Sequence, residues 1–446
     1  MRLRPSSIGR GARTLALATA LTLGGAACIG GGGGSDHERP QPGQRIMPIT
    51  PKEPTSPVTI TFQSWVGEAQ PMKKLVADFK KEHPNITVRL LNVPAERAAQ
   101  KLTTQIAGGN PPDTAFLDSS AVQDLAARRA LVNLDGYIAG SEAVSLDDYV
   151  AGFKQTAVYQ NSMFALPYDG ETTGLFYRTD LFQAAGIANP PATWEELETA
   201  AAKLTDPARK RYGYILFAPE AQYHWLPFLW QAGGNLLSQD GKTIAFNSPQ
   251  GVQAADFYVG LRRYAPPDLL ASGSWDGRAA FATGKVAMYA AGAWFGGEMA
   301  SSYPRINGRW SVAPMPAGPV RCATTNAGDS LVVTSQSKNT DAAWLWIEFL
   351  SRPDNMKLGT FGTPSAILLP PRRSLLSDPQ LGRYNPWLKG FAEQMACAVN
   401  ETTTNPNWGQ VSEALNAELG KAIYGDQSAT EALHKAAQKG QTLLER

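Results

Sequence analysis

The sequence predicts an α/β protein with two regions of alternating strands and helices. Strand-like and helix-like segments alternate from Val58 to about residue 129, which is the pattern of a parallel sheet with crossover helices. A second region of the same kind begins near Asp180. The chain has 446 residues, enough for two to three domains at about 150 residues each. No repeat of fixed period is visible, which disfavours solenoids and propellers.

Charge composition points to no charged partner. The chain has 41 Lys and Arg against 39 Asp and Glu, a formal net charge of +2, and neither sign forms a long run. Nucleic-acid-binding proteins usually carry a basic patch or tail. We therefore expect no nucleic-acid partner.

Residues 1–27 are predicted to be a signal peptide. Arginines precede an apolar run from Thr14 to Leu23, and small residues follow it. The run is shorter than the roughly 20 residues that a membrane-spanning helix needs. The next segment, Gly25-Ala26-Ala27-Cys28, resembles the lipobox of bacterial lipoproteins, although Gly25 stands where Leu is usual. This resemblance implies that Cys28 is acylated and anchors the chain to the membrane; cleavage without lipidation is the alternative.

Residues 28–57 are predicted to be a flexible tether, because they are rich in Gly, Pro and charge and lack apolar periodicity. Three cysteines are an odd number for an exported protein. If Cys28 carries lipid, Cys322 and Cys397 remain to form a disulfide. The alternative is two separate buried thiols.

The first α/β region is predicted from period-2 and helical patterns in turn. Its strands are 58–62, 86–91 and 114–117, and its helices are 72–79, 95–106 and 121–129. Ligands of parallel sheets bind beyond the carboxyl ends of the strands. This rule nominates Trp65 and Glu68 after the first strand, and Asp118 and Ser119 after the third.

The second region begins with a capping box, Thr193 to Glu196, ahead of a helix over 194–204. A strand over 212–217, a helix from Ser248 to Pro266 and strands over 286–290 and 331–334 follow. An apolar helix over 340–350 contains Trp344 and Trp346, which we expect in the core. The tail from Trp408 is predicted to be helical.

Motifs of common enzyme classes are absent from the sequence. There is no Gly-x-Ser-x-Gly, no His-Glu-x-x-His and no phosphate-binding loop. Only four histidines occur, and His224 is predicted to be an interior or pocket-wall residue. We expect no metal and no cofactor. A glycosidase stays open as an alternative, because its two carboxylates need no fixed sequence spacing.

Several modest motifs occur in a fixed order from Val58 to the C-terminus. They are Leu166-Pro167-Tyr168, 175–182 with 185–187, 191–197, 281–288 with Gly292-x-Trp294, and 408–425. With these motifs the chain resembles the family 1 extracellular solute-binding proteins of ABC importers, the carbohydrate-binding lipoproteins related to maltose-binding protein. The resemblance implies a non-enzymatic receptor outside the cytoplasm, anchored by lipid, monomeric, and working with an importer's membrane-spanning subunits.

The resemblance also implies a two-lobed α/β fold of the periplasmic-binding-protein type (type II), with discontinuous lobes and a hinge cleft. The solute-binding domain would span 58–446. Lobe 1 would comprise about 58–166 with a return segment near 295–345. Lobe 2 would comprise about 175–290 with 350–446.

A sugar site needs flat aromatic surfaces for the C–H faces of the rings and polar groups for the hydroxyls. From the family's cleft positions we expect ligand contacts from aromatic residues and from polar or glycine residues, although for each Trp a core position is the alternative. The aromatic set is Trp65, Tyr168, Trp225, Trp294, Phe295 and Trp408; the other set is Glu68, Asp118, Ser119, Asp169, Glu171, Gly328 and Asp329.

The ligand class has two alternatives within the same fold. Glycerol phosphate would need basic cleft residues, and the nominated segments carry few. A polyamine is harder to dismiss, since aromatic rings and carboxylates also suit a cation.

Overall fold

The chain folds around two separate main sheets, each covered by helices. The computed structural model describes residues 46–270, 277–399, 405 and 407–445. The strands are β1 (Val58–Ser64), β2 (Ile86–Asn92), β3 (Thr114–Asp118), β4 (Val158–Tyr159), β5 (Ser162–Met163), β6 (Leu166–Pro167), β7 (Gly174–Tyr177), β8 (Tyr212–Tyr214), β9 (Val286–Ala291), β10 (Ser311–Ala313) and β11 (Asp329–Val333).

The helices run through both lobes and form the C-terminal end of the described chain. They are α1 (Gln70–Glu82), α2 (Ala95–Ala107), α3 (Val122–Ala127), α4 (Asp135–Gly140), α5 (Ala151–Thr156), α6 (Thr179–Ala184), α7 (Trp194–Leu204), α8 (Ala221–Gln231), α9 (Pro249–Gly260), α10 (Gly277–Ala282), α11 (Ala293–Ser302), α12 (Thr340–Ser351), α13 (Pro353–Thr360), α14 (Arg373–Leu376), α15 (Trp387–Gln394), α16 (Trp408–Tyr424) and α17 (Ala429–Leu444). None of the helices in the described residues is long and apolar enough to cross a membrane.

The first lobe contains a sheet with the strand order β2-β1-β3-β11-β6. β1 pairs in parallel with β2 and β3, and α1 and α2 are the crossovers that the sequence predicts. β11 comes from much later in the chain and pairs antiparallel with β3, so that Asp329 lies opposite Asp118. The carboxyl end of β3 and the start of β11 thus meet at one edge of the sheet.

Helix α12 closes the core of the first lobe. Trp344 and Trp346 are fully buried, as expected for this apolar helix. The ring of Trp346 packs edge-on against Phe62 of β1 and Phe79 of α1, with centroids 5.7 and 5.0 Å apart.

The second lobe contains a sheet with the order β10-β7-β9-β8. β7 pairs antiparallel with both β10 and β9, and β8 pairs parallel with β9. Helices α8, α9, α16 and α17 contact one another on this lobe. The two sheets confirm the predicted two-lobed α/β fold with discontinuous lobes.

Two crossing segments connect the sheets side by side. The first crossing segment, residues 168–173, leads from β6 to β7, and the second, residues 314–328, leads from β10 back to β11. Glu171 and Ala327 exchange backbone hydrogen bonds of 2.7 and 2.9 Å, and Gly170 N donates to Leu369 O at 2.7 Å. These backbone hydrogen bonds join the first crossing segment to the second and to the segment that contains Leu369.

The lobe boundaries differ from the prediction in two segments. The predicted return near 295–345 contains β11, but β10 at Ser311–Ala313 pairs within the second sheet. Helix α13 contacts α1 and α12, so the first lobe extends beyond residue 345. β10 has only three residues, too few for a readable period-2 pattern.

The last twelve residues of the predicted tether, 46–57, lie against the first lobe rather than extending from it as a flexible chain. Ile49 N donates to Gly136 O at 2.9 Å, and Asn85 Nδ2 donates to Pro54 O at 2.8 Å. Gly136 and Gly140 leave no room for a Cβ atom because Ile49 lies directly over them. Composition does not reveal such contacts, since they depend on a surface formed by distant residues. The predicted signal peptide (1–27), Cys28 and tether residues 29–45 lie outside the described residues.

A disulfide joins Cys322 in the second crossing segment to Cys397, with 5.5 Å between the Cα atoms. Thr324 N donates to Cys397 O at 3.0 Å, and Thr324 Oγ1 donates to Thr173 O at 2.7 Å. The disulfide therefore lies next to the point where both crossing segments meet.

Candidate functional site

A cavity of about 610 Å³ opens between the two lobes. This volume lies within the range of about 300–1,000 Å³ that is usual for small-molecule sites. Its wall includes residues that follow β1, end β3 and begin β11, residues of the first crossing segment, α8, β9, α10 and α11, and residues 368–369. Both lobes thus contribute to the wall.

Four carboxyl groups line this cavity: Asp118, Asp169, Glu171 and Asp329. Asp118 ends β3 and Asp329 begins β11, so antiparallel pairing places them opposite each other. The backbone N–H of Asp329 donates to Asp169 Oδ1 at 2.7 Å. The crossing of the lobes therefore brings together carboxyls that are far apart in the sequence.

Burial raises the pKa of Asp169 well above its ordinary value, and the nearby Glu171 and Asp118 carboxylates raise it further. Burial likewise raises the pKa of Asp329, with added repulsion from Asp169, Asp118 and Glu171. Both carboxyls line the same cavity, and they repel each other when both are ionised. The pair therefore retains a proton more readily than an ordinary aspartate.

Gly328 allows this arrangement without lining the cavity itself. Its φ is +148°, and a Cβ atom there would meet the backbone oxygen of Asp169. Gly328 O also accepts a hydrogen bond of 3.0 Å from Ser119 N. Its role is to let the second crossing segment approach the first.

Two of the predicted tryptophans lie at the cavity. Trp65 follows β1 and packs on Phe116, with ring centroids 4.6 Å apart. Trp294 is near the start of α11, is partly exposed, and its Nε1 donates to Glu171 Oε1 at 3.0 Å. An aromatic surface and a carboxylate are thus held together in the wall.

The glycines around Trp294 pack against neighbouring segments and do not open the backbone to a ligand. Gly292 faces Glu171, Gly296 faces Trp387 and Gly297 faces Ile367, each too closely for a Cβ atom. They allow close packing of α11, and the ring of Trp294 is what lines the cavity.

The sequence reasoning missed several wall residues, of which Tyr223 and Arg278 are the most informative. Tyr223 OH donates to Glu171 Oε1 at 2.8 Å, and burial and this carboxylate raise the pKa of Tyr223. Arg278 Nε donates to Glu298 Oε2 at 2.9 Å, and its guanidinium lies 5.5 Å from the ring centroid of Trp294. Phe217 and Tyr289 complete the aromatic wall.

Trp225 is not a cleft residue, contrary to the prediction. It is fully buried in the core of the second lobe. Trp225 and Tyr223 are two residues apart on α8, a rotation of about 200° around the helix, so they face opposite sides. The aromatic residues of α8 correctly indicated a helix at the cavity. Because both faces of this helix carry aromatic residues, the sequence pattern does not show which face lines the cavity.

Three further aromatic predictions also lie off the cavity wall. Phe295 is fully buried between Phe176 and Tyr289, with centroids 4.8 and 4.7 Å away. Tyr168 is 1% exposed and packs on Phe116. Trp408 begins α16 and packs against the core of the second lobe.

Two of the predicted polar residues also lie away from the cavity wall. Glu68 is exposed and pairs with Lys73 at 2.8 Å. Ser119 is buried, and its hydroxyl lies 3.1 Å from that of Ser330, so it connects β11 to the loop after β3. Position after a strand predicts that a residue is near the site, but it does not predict where its side chain points.

Side chains of His, Cys, Asp and Glu are the usual metal ligands in proteins, and their arrangement can be followed in the residues that the structure describes. In them, no group of three or more His, Cys, Asp or Glu side chains is arranged to hold a metal ion. His224 is 3% exposed and packs near Phe217 and Tyr289, in keeping with the predicted interior position.

Comparison with known proteins gives consistent matches over most of the chain. Residues 64–357 match the family described as bacterial extracellular solute-binding protein. The GacH receptor of Streptomyces glaucescens GLA.O, solved unliganded and with acarbose and an acarbose homolog, is 28% identical with a TM-score of 0.76, covering 87% of this chain and 98% of that one. The sugar-binding protein MalE of Xanthomonas citri is 28% identical with a TM-score of 0.73 and the same coverage. An uncharacterized lipoprotein of Streptomyces antibioticus is 28% identical over 351 residues, 75% of this chain and 76% of the relative.

Proposed function

The chain belongs to the bacterial extracellular solute-binding proteins, and on this premise we propose that it binds a saccharide in the cleft cavity and delivers it to the membrane-spanning subunits of an ABC importer. The family consists of binding proteins of transporters rather than enzymes. We infer that this chain likewise returns its ligand unchanged.

The observation that carries the saccharide proposal is the pairing of Trp294 with Glu171. The ring offers a flat apolar surface for the C–H face of a sugar, and the carboxylate beside it accepts hydrogen bonds from hydroxyls. Trp65 supplies a second aromatic surface on the first lobe. The GacH receptor was solved with acarbose, MalE is named as a sugar-binding protein, and both similarities support the same ligand class.

The cavity favours a saccharide over glycerol phosphate. Arg278 is the one cationic side chain among the described wall residues, and it is paired with Glu298. Four carboxyls in the same wall would repel a phosphate. A phosphate ligand therefore lacks the arginine and lysine contacts that usually hold it.

We expect calorimetry against a panel of mono- and disaccharides to find a ligand with Kd of about 1 μM or tighter, because two aromatic surfaces and several acceptors act together in an enclosed cavity. Product analysis of the same mixtures over time should return the sugar intact. Release of a shortened sugar would instead support the glycosidase alternative, in which two of the cleft carboxylates act as acid and nucleophile.

We also propose that Cys28 is lipidated and holds the protein at the outer face of the cell membrane. The similarity to a protein named as a lipoprotein supports this proposal. In cells, Cys28→Ala is expected to move the protein from the membrane fraction to the soluble fraction, since the acyl chains are the predicted anchor. Unchanged membrane association of Cys28→Ala would contradict lipid anchoring at this residue.

A further inference from the structure

The cavity wall is strongly acidic. Asp118, Asp169, Glu171 and Asp329 line it, against the single cation Arg278 among the described wall residues. Arg278 is already paired with Glu298, which lies outside the wall. A neutral saccharide can donate hydroxyl hydrogen bonds to these carboxylates but does not offset their negative charge.

One acceptor in this wall lacks a donor. Asp169 is 4% exposed and lines the cavity, and its Oδ2 has no donor among the described residues. Its other oxygen, Oδ1, accepts from the backbone N–H of Asp329 at 2.7 Å, and Asp329 lines the same cavity. By contrast, Glu171 Oε1 already accepts from Tyr223 and Trp294. The Asp169–Asp329 pair is therefore the part of the wall that a ligand has yet to satisfy.

A cation satisfies this pair better than a hydroxyl does. A hydroxyl donates one hydrogen bond and leaves the repulsion between the two carboxylates in place. An ammonium group donates up to three and also offsets the negative charge, so both carboxyls can ionise. The aromatic rings of Trp65 and Trp294 in the same wall suit a cationic sugar as well as a neutral one.

The position of Arg278 in the cavity wall favours a ligand with one ammonium group over a ligand with several. A polyamine carries cationic nitrogens along its whole length, and within this cavity it would bring one of them towards the guanidinium. A saccharide with one amine can place that amine at the acidic pair and leave its hydroxyls for the remaining wall.

We propose that the ligand is an aminated saccharide, whose protonated amine binds between the carboxyls of Asp169 and Asp329. This inference rests on the proposed function, because it assigns the chemical class of the saccharide that the cavity takes. On this proposal, Asp169 and Asp329 are the residues that select aminated over neutral sugars.

The test compares sugars that differ in one amine. The full-length protein is titrated calorimetrically with glucosamine against glucose, and with the chitosan disaccharide against cellobiose. We expect the aminated sugar of a pair to bind about tenfold or more tightly, as hydrogen bonds to charged groups are stronger than neutral ones. Asp329→Asn is expected to remove this preference, and Asp169→Asn to do the same.

Glu68→Gln is the matched control, because Glu68 is an exposed carboxylate outside the cavity. It is expected to retain the preference. Asp329→Asn is also expected to raise the melting temperature of the unliganded protein, since it removes repulsion within a buried cluster. A folded variant with a higher melting temperature and no amine preference cannot be explained by damage to the fold.

The pH dependence supplies an independent readout. The carboxyls that face the pair are Asp118 on β3 and Glu171 in the first crossing segment, and both raise the pKa of Asp169 and Asp329. Bound ammonium favours ionised carboxylates, so binding releases protons, and the affinity for the aminated sugar falls as the pH is lowered through the raised pKa of the pair. The affinity for the neutral sugar should change less.

Other outcomes overturn the inference in distinguishable ways. Equal affinity for both members of each pair, or a preference that persists in Asp329→Asn, refutes the amine site while leaving saccharide binding intact. If spermidine binds and no sugar does, the proposal that the ligand is a saccharide is refuted. If neither sugars nor spermidine bind, the proposed function fails together with the inference.

Discussion

Replacing Trp294 with alanine is expected to weaken saccharide binding about tenfold or more, the largest effect of any single cavity residue. The ring is partly exposed, lines the cavity and donates through Nε1 to Glu171 Oε1 at 3.0 Å. Alanine removes the stacking surface and also releases the carboxylate from one of its donors. Calorimetric titration of the variant with the best sugar from the panel measures the loss directly.

Trp408→Ala is the matched control for this experiment. Trp408 is also a partly exposed tryptophan near the start of a helix, but it packs against the second-lobe core and not the cavity. We expect it to lower stability without changing affinity. Undiminished binding in Trp294→Ala, or an equal loss in Trp408→Ala, would remove Trp294 from the ligand site.

Much of the fold was predictable because its signals are local. β1, β2 and β3 alternate with α1 and α2 at clear periods, and the structure has them within a few residues of the predicted positions. The apolar helix with Trp344 and Trp346 was equally clear. What local signals do not provide is the position of β10 and the docking of residues 46–57, because both depend on partners distant in the sequence.

The site was predictable to the level of segments and only partly to the level of side chains. The strand-end rule led to Asp118, the family resemblance led to Asp169, Glu171 and Asp329, and all four line the cavity. On α8 the same reasoning selected Trp225, whereas Tyr223 lines the wall. Burying an ionised carboxylate is costly, so a carboxylate at the edge of a sheet usually lies next to water or a ligand. An aromatic side chain is stable either in the protein core or in a cavity wall, so its type does not predict its position.

Arg278 shows a second limit of sequence reasoning. It lies on α10, away from every strand end that was nominated, and no motif marks it. Closure of the two lobes around one cavity brings it to the wall, opposite in charge to the four carboxyls. A prediction of ligand charge therefore required the folded arrangement, since the overall composition is close to neutral.

Removing the disulfide is expected to lower the free energy of unfolding by about 4 kcal/mol, since it closes a loop with a sequence separation of 75 residues. The double variant Cys322→Ser with Cys397→Ser, prepared in a Cys28→Ala background, isolates this contribution. Denaturant unfolding followed by tryptophan fluorescence measures it, with Cys28→Ala alone as the control.

The same variant is expected to weaken ligand binding, because the disulfide supports the crossing segments. Cys397 O accepts from Thr324 N, and Thr324 in turn donates to Thr173 O, two residues from Glu171. Thr173 Oγ1 lies 2.8 Å from Thr325 Oγ1 and 3.3 Å from the hydroxyl of Tyr223, which donates to Glu171. Loss of the disulfide loosens this chain of contacts, so a ligand must reorder Glu171 and Tyr223 on binding, at a cost in affinity.

Thiol titration decides whether the disulfide forms in the exported protein. Unfolded, unreduced Cys28→Ala protein is expected to show no reactive thiol and, after reduction, two. Two thiols before reduction would refute the disulfide. If instead the disulfide forms but its removal leaves affinity unchanged, the link contributes to stability alone and the crossing segments hold Glu171 through their hydrogen bonds.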